Sequence, residues 1–438
     1  MSTRKRWLKL VAAVGALSLM AAACGDDDED DAGEDPETTE GTEGTEAEGG
    51  GDGPLTIGVL FPESGSLNAI VGALRTPVDM AIEEINAAGG VLGQDVGIAA
   101  ADDGTDDTNL ARTGLERLVS SDGINVLLGP ASSTLTEALM EDIVAADVVA
   151  CSGSNTAASL EEIEDEGRYF GFAPNDNLQG PALAEVIAGD GHASVGILVR
   201  NDTYGTGFGD AIAGGLDESG VEVAIQRAYD PDSSTGYAAD VQAVLDAQPD
   251  AVALIGFGTD GAQVLSEMIE QGAGPGTLPI YTGDGMQSST FWETVNSQDP
   301  TAVQGIKGTA PAAAPSGVEH PFTENYAETG EDTIFSAYYY DCAMVTALAA
   351  EAAGSTEADA IAEAIPEVTS EGTECQTFAD CKALLDEGED IDYQGASGDL
   401  TLNDAGHVVS GAYDVWEYDA EGAPTTLDVP QIVISREE

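Results

Sequence analysis

The chain has 438 residues, with 81 aspartates and glutamates against 13 lysines and arginines, and its formal net charge is −68. So negative a protein is repelled by nucleic acid and by anionic lipid surfaces, which excludes both as partners. The part that follows residue 53 is longer than one hydrophobic core usually supports, so we expect two lobes.

The N-terminus has the pattern of an export signal. Basic residues between Arg4 and Lys9 precede an apolar run over 10–23, which is long enough for a signal peptide but short for a membrane span. The run ends in Ala22-Ala23-Cys24-Gly25, which resembles a bacterial lipobox. The resemblance implies cleavage before Cys24 and a lipid on that cysteine. Cleavage by an ordinary signal peptidase, with Cys24 incidental, is the alternative.

An acidic tether is predicted over residues 24–53. The segment consists of Asp, Glu, Gly and Thr with a few Ala and Pro, so it cannot bury enough apolar surface to offset the entropy of ordering. Four of the 13 basic residues and 14 of the 81 acids precede residue 54, which leaves 9 and 67 and a charge of about −58 on the folded part. Scattered acids and scarce lysine indicate a solvated surface adapted to a saline environment.

Apolar runs of strand length alternate with helical patterns from Leu55 onward, which predicts α/β architecture with parallel sheets. Strands are predicted over 55–61, 96–101, 126–128 and 148–150, and helices over 73–88, 108–120 and 133–145. A second series has strands over 194–199, 221–229, 251–255 and 279–282, and helices over 208–219, 237–247 and 261–271. In two facing doubly wound lobes, a ligand binds between the carboxyl ends of the strands.

At this point the chain resembles the type I periplasmic binding proteins, in particular their leucine/isoleucine/valine-binding branch. The resemblance covers most of 55–416 and rests on segments in a fixed order, including 81–93, 126–133, 152–156, 179–181, 202–207 and Tyr340-Asp341. It implies a hinge of three strands, with lobe one formed by 54–175 and 309–393 and lobe two by 176–308 and 394–438. Residues 398–434 are predicted to return to lobe two as strands, with a hairpin turn at 419–422.

A free amino acid offers a carboxylate, an ammonium and a side chain. The segment 129–134 follows a strand and opens a helix, whose N-terminus favours an anion. The resemblance implies that Ser133 binds the carboxylate and that Ser154 and Thr156 hold the carboxylate and ammonium. It also places Tyr204 against the ligand and Asp284 beside the ammonium. Helix capping and turn formation are the alternatives for these polar residues.

Three apolar residues are predicted to form the walls of the site: Phe257, Phe335 and Ile70. Each could equally belong to the core. Among the remaining cysteines, close spacing and export favour a disulfide between Cys375 and Cys381, whereas pairing of Cys151 with Cys342 is left open. His192, His320 and His407 lack metal-ligand spacing, so no metal and no cofactor are expected.

The sequence therefore predicts a monomeric, non-enzymatic solute-binding component of an ABC importer, which delivers a small amino-acid-like solute to permease subunits in the membrane. The sequence lacks the Gly-x-Ser-x-Gly motif of α/β-hydrolases and the P-loop motif of nucleotide hydrolases. A sensor with the same clamp, not coupled to transport, is the first alternative. A binder of amides, urea or aromatic acids is the second.

Overall fold

The computed structural model describes residues 53–436. The predicted signal peptide, Cys24 and the predicted tether up to residue 52 lie outside the described residues. Of the helices within 53–436, none combines the length and apolar character of a membrane span.

The described residues form strands that alternate with helices. The strands are β1 (Thr56–Phe61), β2 (Gly97–Asp102), β3 (Val126–Leu128), β4 (Val149–Ser152), β5 (Tyr169–Gly171), β6 (Ser194–Arg200), β7 (Glu222–Tyr229), β8 (Ala251–Ile255), β9 (Ile280–Thr282), β10 (Lys307–Pro311), β11 (Thr373–Cys375), β12 (Ile391–Tyr393), β13 (Ser410–Tyr418), β14 (Pro424–Thr426) and β15 (Ile432–Ser435). The helices are α1 (Val71–Ala87), α2 (Thr108–Arg117), α3 (Ser133–Ala145), α4 (Asp176–Gly189), α5 (Thr203–Glu218), α6 (Ala238–Asp246), α7 (Asp260–Glu270), α8 (Phe291–Asn296), α9 (Pro321–Ala327), α10 (Ser336–Ala353), α11 (Ala358–Val368) and α12 (Phe378–Glu387).

The first sheet has the order β2-β1-β3-β4-β5 with every pair parallel. Its central strands are buried along their whole length, as expected of a parallel sheet covered on both faces. Helix α10 packs against β3 and β4 and against α1, so it belongs to the first-sheet side of the molecule.

The second sheet has a parallel part in the order β7-β6-β8-β9-β10. Antiparallel strands extend it, because β13 pairs with β10 and carries both β14 and β15. The C-terminal segment therefore forms strands of the second sheet, with the turn at 419–422 joining β13 to β14. Strands β11 and β12 pair with each other in a small parallel sheet of their own. The fold is therefore α/β with two large, mainly parallel sheets.

The chain passes between the two sheets after β5, after β10 and after β12. The second of these passages differs from the predicted boundary at 308, because β10 pairs within the second sheet as far as Pro311. The third passage is fixed by buried Asp341, which accepts hydrogen bonds from Tyr393 Oη (2.9 Å), Ala396 N (2.9 Å) and Ser397 N (2.7 Å). The division of the chain into two separate lobes remains a prediction. Below, the parts of the molecule built around the first and the second sheet are called its two halves.

Two disulfides lie on the first-sheet side. Cys151 in β4 is bonded to Cys342 in α10, a pairing that the sequence left open. Cys375 at the end of β11 is bonded to Cys381 in α12. The first bond joins a central strand to the helix that covers it, and the second closes a short local loop.

Candidate functional site

The eight predicted ligand-binding residues all line one cavity between the two sheets. Its lining consists of Leu67, Ile70, Ala131, Ser133, Ser154, Thr156, Tyr204, Phe257, Asp284, Gly285 and Phe335. Only about 20 Å³ of this cavity is open to the centre of a water molecule, which is room for about one water. A solute of amino-acid size therefore requires the cleft to open.

The cavity lies where the topology of each sheet favours a ligand. In both sheets the strand order reverses, between β1 and β3 in the first and between β6 and β8 in the second. Ile70 follows β1 and Ser133 follows β3, while Tyr204 follows β6 and Phe257 follows β8. Ligands of doubly wound sheets bind at such reversals, outside the carboxyl ends of the strands, and here two reversals face each other.

The N-terminus of helix α3 forms one end of the cavity. Ser132 holds the N-cap position with extended backbone but makes no side-chain capping bond, and its buried hydroxyl has no partner among the described residues. Ser133 Oγ accepts a hydrogen bond from Ala157 N at 3.3 Å, which leaves its own hydrogen free to donate. Uncapped N–H groups and the positive end of the helix dipole suit a carboxylate.

The loop after β4 borders the same end. Ser154 Oγ donates to Ala131 O at 3.0 Å and is 2.8 Å from Tyr339 Oη, so its hydroxyl is already engaged within the first-sheet side. The loop rests closely on α10, since a Cβ on Gly153 would lie 2.7 Å from Tyr339 N. Any contact of Ser154 with a ligand is therefore best made by its backbone. Thr156, two residues further on, also lines the cavity.

Asp284 forms the opposite, acidic end. Its Oδ1 accepts a hydrogen bond from Tyr204 Oη at 2.9 Å, and its Oδ2 has no partner among the described residues. Burial raises the pKa of Asp284 to about 6, against the opposing effects of the Tyr204 hydroxyl, the Gly285 N–H and the Gln179 side chain. A buried carboxylate with one free oxygen attracts a cationic hydrogen-bond donor.

Asp176, at the start of α4, is a second buried acid next to this end, and the sequence analysis did not identify it. Its N–H donates to Thr156 O at 2.7 Å, and neither carboxylate oxygen has a partner among the described residues. Burial raises its pKa well above the usual value, and the charge of Asp284 adds to the effect. The acid in the first turn of a helix was visible in the sequence, but its burial was not.

Aromatic rings build the apolar wall. The rings of Tyr204 and Phe257 stack with centroids 5.3 Å apart and planes at 13°. On Phe257 lies the guanidinium of Arg200, 3.7 Å from the ring centroid. Phe335 has left-handed backbone, with φ of 59°, directly before α10. This conformation is uncommon for a bulky residue. Phe335 lines the cavity from the first-sheet side.

Sequence reasoning also missed several residues that shape the cavity: Leu67, Gly285, Tyr339 and Arg200. A Cβ on Gly285 would lie 2.7 Å from Gly256 O, so this position needs glycine. No histidine lines the cavity. Among residues 53–436 the structure gathers no group of three or more His, Cys, Asp or Glu suited to a metal ion.

The arrangement thus separates three chemistries in one small space. Serine and threonine hydroxyls and a helix N-terminus can bind an anion, the buried carboxyl of Asp284 attracts a cation, and aliphatic and aromatic groups form the rest of the lining. Comparison with known proteins agrees with this geometry: the family model described as "Periplasmic binding protein" matches residues 54–423. The chain belongs to the periplasmic binding protein family.

Individual family members are similar over most of the chain. The "Chemotactic signal transduction system substrate-binding protein BasB" of Halobacterium salinarum is 27% identical over 82% of this chain and 86% of its own length. The "Leu/Ile/Val-binding protein BraC3" of Rhizobium johnstonii is 24% identical over 84% and 92%. The structure of Streptococcus pneumoniae LivJ in complex with isoleucine superposes with a TM-score of 0.69, at 20% identity, over 88% and 100%. That last likeness shows the shared fold.

Proposed function

We propose that the protein is an extracytoplasmic solute-binding component of an ABC importer and that it binds a branched-chain or other small apolar amino acid in the cleft. Ser133 and the N-terminus of α3 receive the carboxylate. Ser154, through its backbone, and Thr156 contribute to both charged groups, while Asp284 with Tyr204 receives the ammonium. Ile70, Phe257 and Phe335 enclose the side chain. The family and the similarity to a relative named as a Leu/Ile/Val-binding protein support the proposal.

The free oxygen of Asp284 is the observation that carries the proposal. An unpaired buried carboxylate costs free energy, and a ligand cation removes that cost. The anion-accepting end lies on the first-sheet side and the acid on the second-sheet side, so a zwitterion satisfies both ends at once. An apolar side chain then meets the aromatic wall.

The same observation argues against two solute classes. An aromatic acid carries a carboxylate but no ammonium, so it would leave the free oxygen of Asp284 without a cation. An uncharged amide or urea can donate hydrogen bonds to Asp284 but gives no charge compensation. Both classes are therefore expected to bind more weakly than amino acids.

A sensor remains the second candidate, because the similar Halobacterium salinarum protein is named for chemotactic signal transduction. Cleft chemistry is the same in both roles, and the partner differs. Measurements of solute uptake by cells with and without this protein distinguish them: uptake that persists after deletion of this protein would favour the sensor.

A thermal-shift screen tests the binding proposal. We expect leucine, isoleucine and valine to raise the melting temperature, and benzoate, urea and simple amides to do so less. Acetylated leucine, which keeps the carboxylate and side chain but lacks the ammonium, is the matched control. If acetylated leucine shifted the melting temperature as much as leucine, the role given to Asp284 would be wrong.

The proposal includes a lipid anchor on Cys24, which lies outside the described residues, and a monomeric protein tethered to the cell membrane. Two or three acyl chains would hold the protein stably at a bilayer. Replacement of Cys24 by serine is expected to release the protein into the medium, measured by immunoblotting of membrane and medium fractions. Unchanged membrane retention of the variant would contradict the anchor.

A further inference from the structure

Arg200, at the end of β6, is a buried cation surrounded by carboxylates. Its side chain is fully buried, with Nε 2.6 Å from Asp202 Oδ2 and Nη1 2.8 Å from Asp260 Oδ1. Both aspartates belong to the second-sheet side, and Asp260 is held further by Tyr229 Oη at 2.6 Å. These two carboxylates already neutralise the guanidinium charge within one half of the molecule.

A third carboxylate reaches Arg200 from the opposite half. Asp106 lies in the loop after β2, and its Oδ1 accepts a hydrogen bond from Arg200 Nη2 at 2.6 Å. Asp106 Oδ2 accepts from Ser66 Oγ at 2.7 Å. Arg200 is already neutralised by Asp202 and Asp260, so the contact with Asp106 is not needed to balance its charge. The importance of this contact is that it joins the two halves across the cleft.

Each residue of this ion pair is linked through its neighbours to a residue that lines the cavity. On the second-sheet side, the Arg200 guanidinium lies on Phe257, which stacks in turn on Tyr204. On the first-sheet side, Ser66 precedes Leu67, whose N–H donates to Thr105 Oγ1 at 3.1 Å. Leu67 and Phe257 both line the cavity, although Asp106 does not.

We propose that Asp106 is a positioning residue for solute binding, whose ion pair with Arg200 holds the cleft closed and fixes the Leu67 and Phe257 walls without touching the solute. The ion pair forms only when the halves meet, so it adds to the affinity by stabilising the closed form. This inference rests on the proposed function for its effect on affinity. The effect on closure itself is independent of which solute binds.

The test is Asp106→Asn, which keeps the size of the side chain and removes the charge. We expect roughly tenfold weaker binding of the best amino acid from the screen, measured by calorimetry, with the loss in a faster dissociation rate in stopped-flow experiments. The difference from the wild type should narrow between dilute buffer and molar NaCl, since Asp106 is partly exposed, with 29% of its side chain accessible, and salt screens it.

The matched control is Asp142→Asn, which breaks an ion pair with Arg112 of 2.7 Å inside the first-sheet side and changes the charge equally. We expect wild-type dissociation rates from this variant. Small-angle scattering of the unliganded proteins should show a larger radius of gyration for Asp106→Asn alone. An unchanged radius and an unchanged dissociation rate would overturn the proposal. If the wild type binds no amino acid, the proposed function fails, and the radius alone decides the role of Asp106.

Discussion

The hydroxyl of Tyr204 donates to Oδ1 of Asp284 at 2.9 Å and leaves the other carboxylate oxygen free. Tyr204 lies in the first turn of α5, which follows β6, and Asp284 lies in the short turn after β9. The tyrosine thereby orients the carboxylate without supplying the positive charge that a buried acid lacks.

Replacement of Asp284 by alanine is the first prediction. A solute ammonium buried without its counter-charge costs about 3–5 kcal/mol, so calorimetry should show more than a hundredfold loss of amino-acid affinity. Ser133→Ala should cost less, about 1–3 kcal/mol, because helix N–H groups still hold the carboxylate. Tyr204→Phe, which keeps the ring and removes the hydroxyl, is the matched control for orientation of the carboxylate alone. Its loss of affinity should be smaller than that of either other variant. Wild-type affinity in Asp284→Ala would reduce Asp284 to a turn residue.

The second prediction concerns pH and the stability of the unliganded protein. Burial raises the pKa of Asp284 to about 6 and that of Asp103 to about 7, while both are near 4 in the unfolded chain. Between these values the folded state binds more protons than the unfolded state, so the free energy of unfolding falls as pH rises from about 4 to about 7. The raised pKa of Asp284 alone corresponds to roughly 3 kcal/mol.

Urea titrations at pH 5 and pH 8 measure this difference. Asp284→Asn should be more stable than the wild type at pH 8 and show a smaller loss between the two pH values. Asp79→Asn, at an exposed position on α1 with 47% of the side chain accessible, is the control and should keep the wild-type difference. An equal pH dependence in wild type and Asp284→Asn would mean that the Asp284 carboxyl titrates normally.

The third prediction compares the two disulfides. Cys151 and Cys342 are 191 residues apart in the sequence, and Cys375 and Cys381 are 6 apart. The entropy of the closed loops suggests a loss of about 5 kcal/mol when the first pair is replaced by alanine, and about 2 kcal/mol for the second. Denaturant unfolding of the two double variants gives both values. The expectation fails if the short-loop variant loses as much stability as the long-loop variant.

The fourth prediction follows from the charge of about −58 on the folded part. Salt screens the repulsion among surface carboxylates, so the melting temperature should rise between dilute buffer and molar NaCl. Sucrose at equal osmolality is the control, since it stabilises by exclusion without screening. A melting temperature that rises in sucrose but stays flat in NaCl would show that charge repulsion is not what limits stability.

The sequence was sufficient for most of the parallel strands, because runs such as 126–128 and 251–255 are apolar throughout and bounded by turns. It did not predict β5 or β10. It was less informative for α10, which is buried on nearly every face and so has no polar stripe to mark its period. Helix α5 begins at Thr203 rather than at the predicted 208, since Asp202 accepts from Gly205 N at 2.8 Å and caps a glycine-rich first turn.

The residues of the cavity also divide into those that the sequence could predict and those that it could not. Family resemblance supplied Ser133, Tyr204 and Asp284, which the fold brings to one cavity. Asp176 and Arg200 could not be found this way, because the significance of Asp176 depends on its burial and that of Arg200 on Asp260 and Asp106, which lie 60 and 94 residues away. Sequence spacing carries no record of such distant neighbours.

The anion-accepting end of the cavity is built wholly from one side of the molecule, where the Ser154 loop rests on α10 and Cys151 is bonded to Cys342. A solute that enters an open cleft thus meets a finished surface for its carboxylate before the other half arrives. We expect many carboxylates to visit this surface briefly. Selection among these solutes then takes place during closure, because a solute without an ammonium dissociates before the second half closes over it.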